Sequence, residues 1–138
     1  MKPYEIIEHT ADVGLRAQAD SLAEAFSFLA KGMFDLITDE SAIDDAHHFS
    51  VQLEAHDLEQ LLVDWLSELL FLHETNEAVF SRFEIRIDEE AIVLSASVFG
   101  EPFDPGKHRL GMQIKAVTYH LLKVSGGPPY EVQVLFDI

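Results

Sequence analysis

Two stretches of the chain carry apolar residues at helical spacing. Leu22, Ala25, Phe26, Leu29, Met33, Leu36 and Ile37 fall at i, i+3, i+4 and i+7 intervals, predicting a helix over about Leu22 to Ile37. Ser21 is placed as its N-cap and Glu24, three residues on, completes a capping box. A second stripe of Leu58, Leu61, Leu62, Trp65, Leu66, Leu69 and Leu70 predicts a helix over about Leu58 to His73, with Asp57 and Gln60 repeating the cap logic. Gly32 sits inside the first helix at a cost of about 1 kcal/mol against Ala, which argues that another element approaches closely there.

The remaining apolar positions alternate with polar ones, the mark of half-buried strands. Tyr4-Ile6-Glu8 and Val13-Leu15-Ala17 flank a break at His9-Thr10-Ala11-Asp12, and Phe49-Val51-Leu53-Ala55 forms a third strand. Phe80–Ile87 leads through Asp88-Glu89-Glu90 into Ile92–Val98, a hairpin pattern. Glu101-Pro102 and Asp104-Pro105-Gly106 mark a loop. Gly111–His120 reads as a short segment, followed by Leu122–Val124 and Tyr130–Phe136 joined across Ser125–Pro129 as a second hairpin. The order implies one α+β domain over residues 1–138, two amphipathic helices packed on antiparallel or mixed β-sheet.

At 138 residues the chain is long enough to bury roughly 70% of its unfolded surface. Its charge is lopsided, 9 Lys+Arg against 25 Asp+Glu for a net −16. Between Gly32 and Ser81 there are 12 acids and no Lys or Arg, whereas four of the nine bases lie from Lys107 to Lys123. Such a surface repels a phosphate backbone at long range, so no direct, stable nucleic-acid binding is expected; it serves either as solvated surface or as a docking face for a basic partner. The absence of cysteine removes disulfides, thiolate metal sites and thiol nucleophiles. No signal-peptide pattern and no 18-residue apolar run occur, so a soluble, cytoplasmic domain with no membrane role is expected.

Three groups of residues can carry chemistry. In His9-Thr10-Ala11-Asp12 the carboxylate serves either an Asx-type turn or, with the imidazole beside it, a hard-cation site. Asp137 and Ile138 end the sequence directly after a strongly apolar strand, which predicts that this end is held in place and presents a side-chain carboxylate and an α-carboxylate. With Asp12 these would supply oxygen ligands to Ca²⁺, Mg²⁺ or Mn²⁺. In Lys115–His120 a single helical turn would put Lys115 and Tyr119 on one face with His120 nearby, although Tyr119 as a half-buried anchor and His120 as a core histidine are equally open. No GxGxxG, Walker A, HExxH, GxSxG or EF-hand pattern is present, so a self-contained enzyme is not supported.

Together these residues resemble the archease family. The resemblance is carried by Glu8-His9-Thr10-Ala11-Asp12-Val13-Gly14, by Ser21–Phe26, by Asp57–Leu62 with Asp64–Leu70, by Lys107-His108, by Ile114–His120 and by the closing Asp137-Ile138. It implies a fold of two nested strand–helix–strand–strand modules and a non-catalytic accessory of an RtcB-type RNA ligase, promoting guanylylation and repeated turnover in tRNA splicing and RNA repair. It also implies a divalent cation on Asp12, Asp137 and Ile138, with His9, Lys115 and His120 as candidate functional contacts. Gln113 and Leu121 depart from acids common in the family, so any role those acids have is in doubt here. Two other functions use the same residues: a metal-dependent phosphoester hydrolase with His9 or His120 as general base, and a chaperone-like module acting through the acidic face.

Overall fold

The computed structural model describes residues 2–9 and 11–138, and the side chain of His9 also lies outside the description. The element order is β1 (Tyr4–His9), β2 (Asp12–Ala19), α1 (Leu22–Thr38), β3 (His47–Glu54), α2 (Leu58–Asn76), β4 (Ala78–Asp88), β5 (Val93–Pro102), β6 (Ala116–Ser125) and β7 (Tyr130–Asp137). β1-β2-β7-β6 form a four-stranded sheet and β3-β5-β4 a three-stranded one, with every neighbouring pair antiparallel. The unit β3-α2-β4-β5 is inserted between α1 and β6 of the outer unit. Nested strand–helix–strand–strand modules are therefore the architecture of the chain.

Both helices begin as the sequence predicts and run on, α1 by one residue and α2 by three. Ser21 Oγ accepts the Glu24 N–H at 3.1 Å, and Glu24 reaches back to the Asp20 N–H. Asp57 Oδ1 likewise accepts the Gln60 N–H at 2.7 Å. The reciprocal half of that second box is not made, because the Gln60 amide bonds Asp64 Oδ1 and the Tyr119 hydroxyl instead. Each helix packs on strands of both sheets, α1 on β2, β7 and β4, and α2 on β6 and the inserted sheet. Phe26, Leu29, Met33, Trp65, Leu66 and Leu69 are fully buried between them. The Trp65 indole N–H donates to the Phe26 carbonyl at 3.2 Å, joining the helices through the core.

Two glycines admit close approach. A Cβ on Gly32 would lie 2.8 Å from Leu15 Cδ1 and 3.0 Å from Tyr4 Cγ, so the helix-weakening residue lets α1 sit down on β1 and β2. A Cβ on Gly100 would lie 1.9 Å from the Val79 carbonyl oxygen, where β4 bulges between Phe80 and Arg82 against β5. One segment differs from expectation. The strand expected at Leu122–Val124 begins at Ala116 and so takes in the second half of the Gly111–His120 segment, because β7 offers Ala116–Thr118 a ladder before the pairing is interrupted.

Gly100→Ala should lower unfolding stability in urea by at least about 2 kcal/mol, since the obstacle is backbone that cannot rotate away. Gly126→Ala, with nothing within 4 Å of the new Cβ, should stay within about 0.5 kcal/mol of the parent chain.

Candidate functional site

The pairing of β2 with β7 places Asp12 directly opposite Asp137. Opposed residues of an antiparallel pair project from the same face with Cβ atoms about 4.5–5.5 Å apart. That face is the one turned away from the helices, because Val13, Leu15, Ala17, Val132, Val134 and Phe136 alternate with it into the core. The row continues across the sheet. The backbone of His9 pairs with Asp12, and Ala116 pairs with Asp137, whose carbonyl accepts the Lys115 N–H at 2.8 Å. Residues from four strands thus share one end of the outer sheet.

Gly14, two residues from Asp12, has a steric reason to be glycine. A Cβ there would lie 2.5 Å from Leu135 Cδ2 and 3.0 Å from the Val134 oxygen, so the fully buried Leu135 side chain lies across its backbone beside the two aspartates. Asp12 is half-buried, whereas Asp137 and Ile138 are exposed. Among the described residues no three His, Asp or Glu side chains gather into a metal-binding group. The oxygen-bearing side chains at this sheet end are those of Asp12 and Asp137, paired in register, with Ile138 next in the chain. Carboxylate oxygens are the ligand type that a hard divalent cation takes.

Lys115 is exposed and immediately precedes β6. Its position is set by a strap of irregular chain, residues 103–115, pinned at short intervals. The Phe103 N–H donates to the Glu77 carbonyl, the Arg109 N–H to Ser41 Oγ, and the Gly111 and Met112 N–H groups to the Ile37 and Leu36 carbonyls of the last turn of α1. Gly111 is required by that contact, since a Cβ there would lie 2.2 Å from the Leu36 oxygen. His120 stands further along the same strand. It lies four residues along β6 from Ala116, within a bulge where residues 119–122 lack register partners between Thr118↔Leu135 and Lys123↔Gln133. His120 is exposed there, and Tyr119 is 61% exposed with its hydroxyl against the Gln60 amide at 3.1 Å. Neither residue takes the core or half-buried role that periodicity left open.

A polar cluster that periodicity does not reveal secures the strap. His108 is 3% exposed. Its Nδ1 accepts the Asp104 N–H at 2.9 Å, so Nε2 carries the proton and donates to Glu101 Oε2, also at 2.9 Å. Glu101 Oε2 further accepts from the Asp44 N–H and Lys107 Nζ, each at 2.7 Å. Partial burial pushes the Glu101 carboxyl up, but bonds from Lys107, the Asp44 N–H and His108, with the Lys107 charge, outweigh it and bring the group from 4.5 down to about 2. Lys107 Nζ also donates to Asp44 Oδ2 at 2.7 Å, and its bonds to the Asp44 and Glu101 carboxylates hold the ammonium above its usual range. The signal for this cluster in the sequence was only the Lys107-His108 pair itself.

An antiparallel α+β domain of nested modules, with an aspartate pair where the second and last strands meet, defines the class. The chain belongs to the archease family: the Archease protein family (MTH1598/TM1083) matches residues 4–138. Protein archease of Sulfurisphaera tokodaii is 37% identical over 139 residues, covering 100% of both chains. Protein archease of Methanosarcina mazei is 42% identical over 143 residues, covering 99% of this chain and 97% of its own. The solution structure of Methanobacterium thermoautotrophicum protein 1598 superposes with a TM-score of 0.86 at 35% identity, covering 100% of each chain. No described helix is long and apolar enough to cross a membrane.

Because the folded-state pKa of Glu101 is depressed, its contribution to stability is present above pH 4.5 and is lost as pH falls towards 2. Urea midpoints measured from pH 6 to pH 2 should fall more steeply for the parent chain than for Glu101→Gln, the two curves converging at the acid end. Parallel curves would show that the cluster does not couple protonation to folding.

Proposed function

We propose that this archease-family chain is a non-catalytic activator of an RtcB-type RNA ligase, promoting the ligase's guanylylation and repeated turnover in tRNA splicing and RNA repair. The observation that carries the reading is the register of Asp12 with Asp137 at one sheet end, in a chain whose match to the archease family spans residues 4–138. Asp12, Asp137 and the main-chain carboxyl group of Ile138 would hold a divalent cation, whether Ca²⁺, Mg²⁺ or Mn²⁺. When bound, such an ion offsets phosphate charge during nucleotidyl transfer. The chain's own part is presentation. A sheet end is a rigid platform, and the two carboxylates leave it from the face opposite the core. Lys115, placed by its backbone bond to Asp137, offers a cation to a phosphate or to a ligase carboxylate beside them. The net −16 suits this role, because a ligase that grips RNA needs basic surface and an acidic accessory complements it.

Asp12→Ala, and separately a chain with one residue appended after Ile138, should each reduce stimulated ligase guanylylation at least tenfold while leaving thermal unfolding unchanged. Undiminished stimulation by both would remove the metal role. Raising salt from 0.05 to 0.5 M should slow association of the two proteins more than it speeds dissociation; an on-rate independent of salt would contradict electrostatic docking.

A further inference from the structure

The C-terminal ends of both helices open onto one groove. Its floor and walls are Ile37, Phe103, Leu110, Met112 and Ile114, its rim carries Glu74 and Glu77, and its volume is about 860 Å³. Leu110 is 86% exposed and Met112 41%, although the backbone between them is fixed to the end of α1 by the Gly111 and Met112 N–H bonds. Leu110 also lines the adjoining depression beside Tyr4, Asp39 and Glu40, so it stands as a ridge between two hollows. Large apolar side chains held rigidly in water mark a surface that another molecule covers.

The charge around the groove selects the occupant. A helix C-terminus carries partial negative charge, and here two of them meet. α1 has no basic residue in its last turn, although Arg109 bonds the carbonyl and carboxylate of its C-cap Asp39, and the last turn of α2 holds one base, His73, which also lines the groove. Glu74 and Glu77 form no ion pair among the described residues. Apolar walls beside two carboxylates that have no ion pair among the described residues fit a polypeptide segment whose apolar residues are flanked by Lys or Arg. A compact ligand site would instead need polar groups converging inside it. The chain that walls the groove, Leu110 to Ile114, leads directly to the aspartate end of the sheet: the next residue, Lys115, donates its N–H to the Asp137 carbonyl.

We infer that this groove docks a basic, apolar segment of the partner protein and thereby sets the partner against the Asp12–Asp137 end of the sheet. The inference rests on the reading of the chain as an accessory of the ligase and adds where the partner is gripped. Against purified ligase, Leu110→Asp combined with Met112→Asp should weaken binding at least tenfold with unfolding temperature unchanged, and Glu74→Lys with Glu77→Lys should weaken it through the on-rate. Asp12→Ala should bind as the parent does while losing stimulation. Binding by the Leu110/Met112 double variant within twofold of the parent would overturn the groove and leave the proposed function standing. If the parent chain does not bind the ligase, the functional reading fails, and an amphipathic Leu/Lys peptide titrated into ¹⁵N-labelled protein decides the groove. Amide shifts confined to residues 73–77 and 110–114, lost in the double variant and absent with a Leu/Glu peptide, support it. Shifts elsewhere, none at all, or equal shifts with the Leu/Glu peptide overturn it. So does sedimentation showing a dimer that the double variant dissolves, which would assign the groove to a second copy.

Discussion

The antiparallel ladder between β2 and β7 is the constraint on which the rest depends. It runs in unbroken register from Asp12↔Asp137 to Ala19↔Tyr130, joining segments more than a hundred residues apart in sequence at their wider end. Contacts so distant in sequence are costly to close and must be repaid by burial. Val13, Leu15, Ala17, Val132, Val134 and Phe136 supply that burial on a single face, against α1. Because side chains alternate with period two, the same register that buries these six residues obliges Asp12 and Asp137 to project together from the other side. A slip of β7 by one residue would turn Asp137 towards the core and Val132, Val134 and Phe136 out of it. The candidate site is thus specified by the hydrophobic pattern of the core and needs no separate positioning device.

The inserted module raises a second structural problem, since the chain must return from β5 to the outer sheet across the ends of both helices. It does so without secondary structure, and irregular backbone near a core has to find partners for its polar groups. The strap meets that demand by bonding to helix ends that themselves lack partners. The Leu36 and Ile37 carbonyls in the last turn of α1 take the Gly111 and Met112 N–H groups, and the Glu77 carbonyl at the end of α2 takes that of Phe103. The Glu101–His108 cluster fixes the other bend. The groove follows from the same arrangement: a strap drawn tight across two helix ends turns Ile114 into the core and leaves Leu110 and Met112 outward.

These levels of structure differ in how readable they were from sequence. Both helices were legible to within a few residues, because capping residues and a 3.6-residue apolar period are local signals. Gly32 was readable as a place of close approach, though Tyr4 and Leu15 as its neighbours were not. Asp12 and Asp137 were recognisable as candidates, but that they meet is a fact of long-range register, which one sequence does not encode locally. The stretch after Lys115 reads only as a short segment of open conformation before a strand at Leu122–Val124; the strand from Ala116 is imposed by β7, and the bulge ending at Lys123 breaks the alternation that would have shown it. His108 gave no burial signal, since a histidine among Asp, Pro, Gly and Lys reads as exposed loop. Its burial follows from Glu101 and Asp44 being brought to it from other strands and loops.

The distribution of charge separates structural from available acids. Asp35, Asp39, Asp44, Glu101 and Glu131 are engaged by Lys31, Arg109, Lys107 and Lys123, and Asp57 and Glu24 by helix N-termini. With only nine bases in the chain, pairing of this kind exhausts the positive charge long before the 25 acids are met. The excess is not random in position: Glu74 and Glu77 remain at the end of α2, where the helix already carries negative partial charge and His73 is the one base of the last turn. Retaining carboxylates there costs the isolated chain stability at low ionic strength. A compensating gain exists only when positive charge arrives from outside, and the exposed Leu110 and Met112 beside them incur their own hydration cost in the unbound protein. Both penalties fall at one place and are relieved by one event, the seating of a basic and apolar segment across the helix ends.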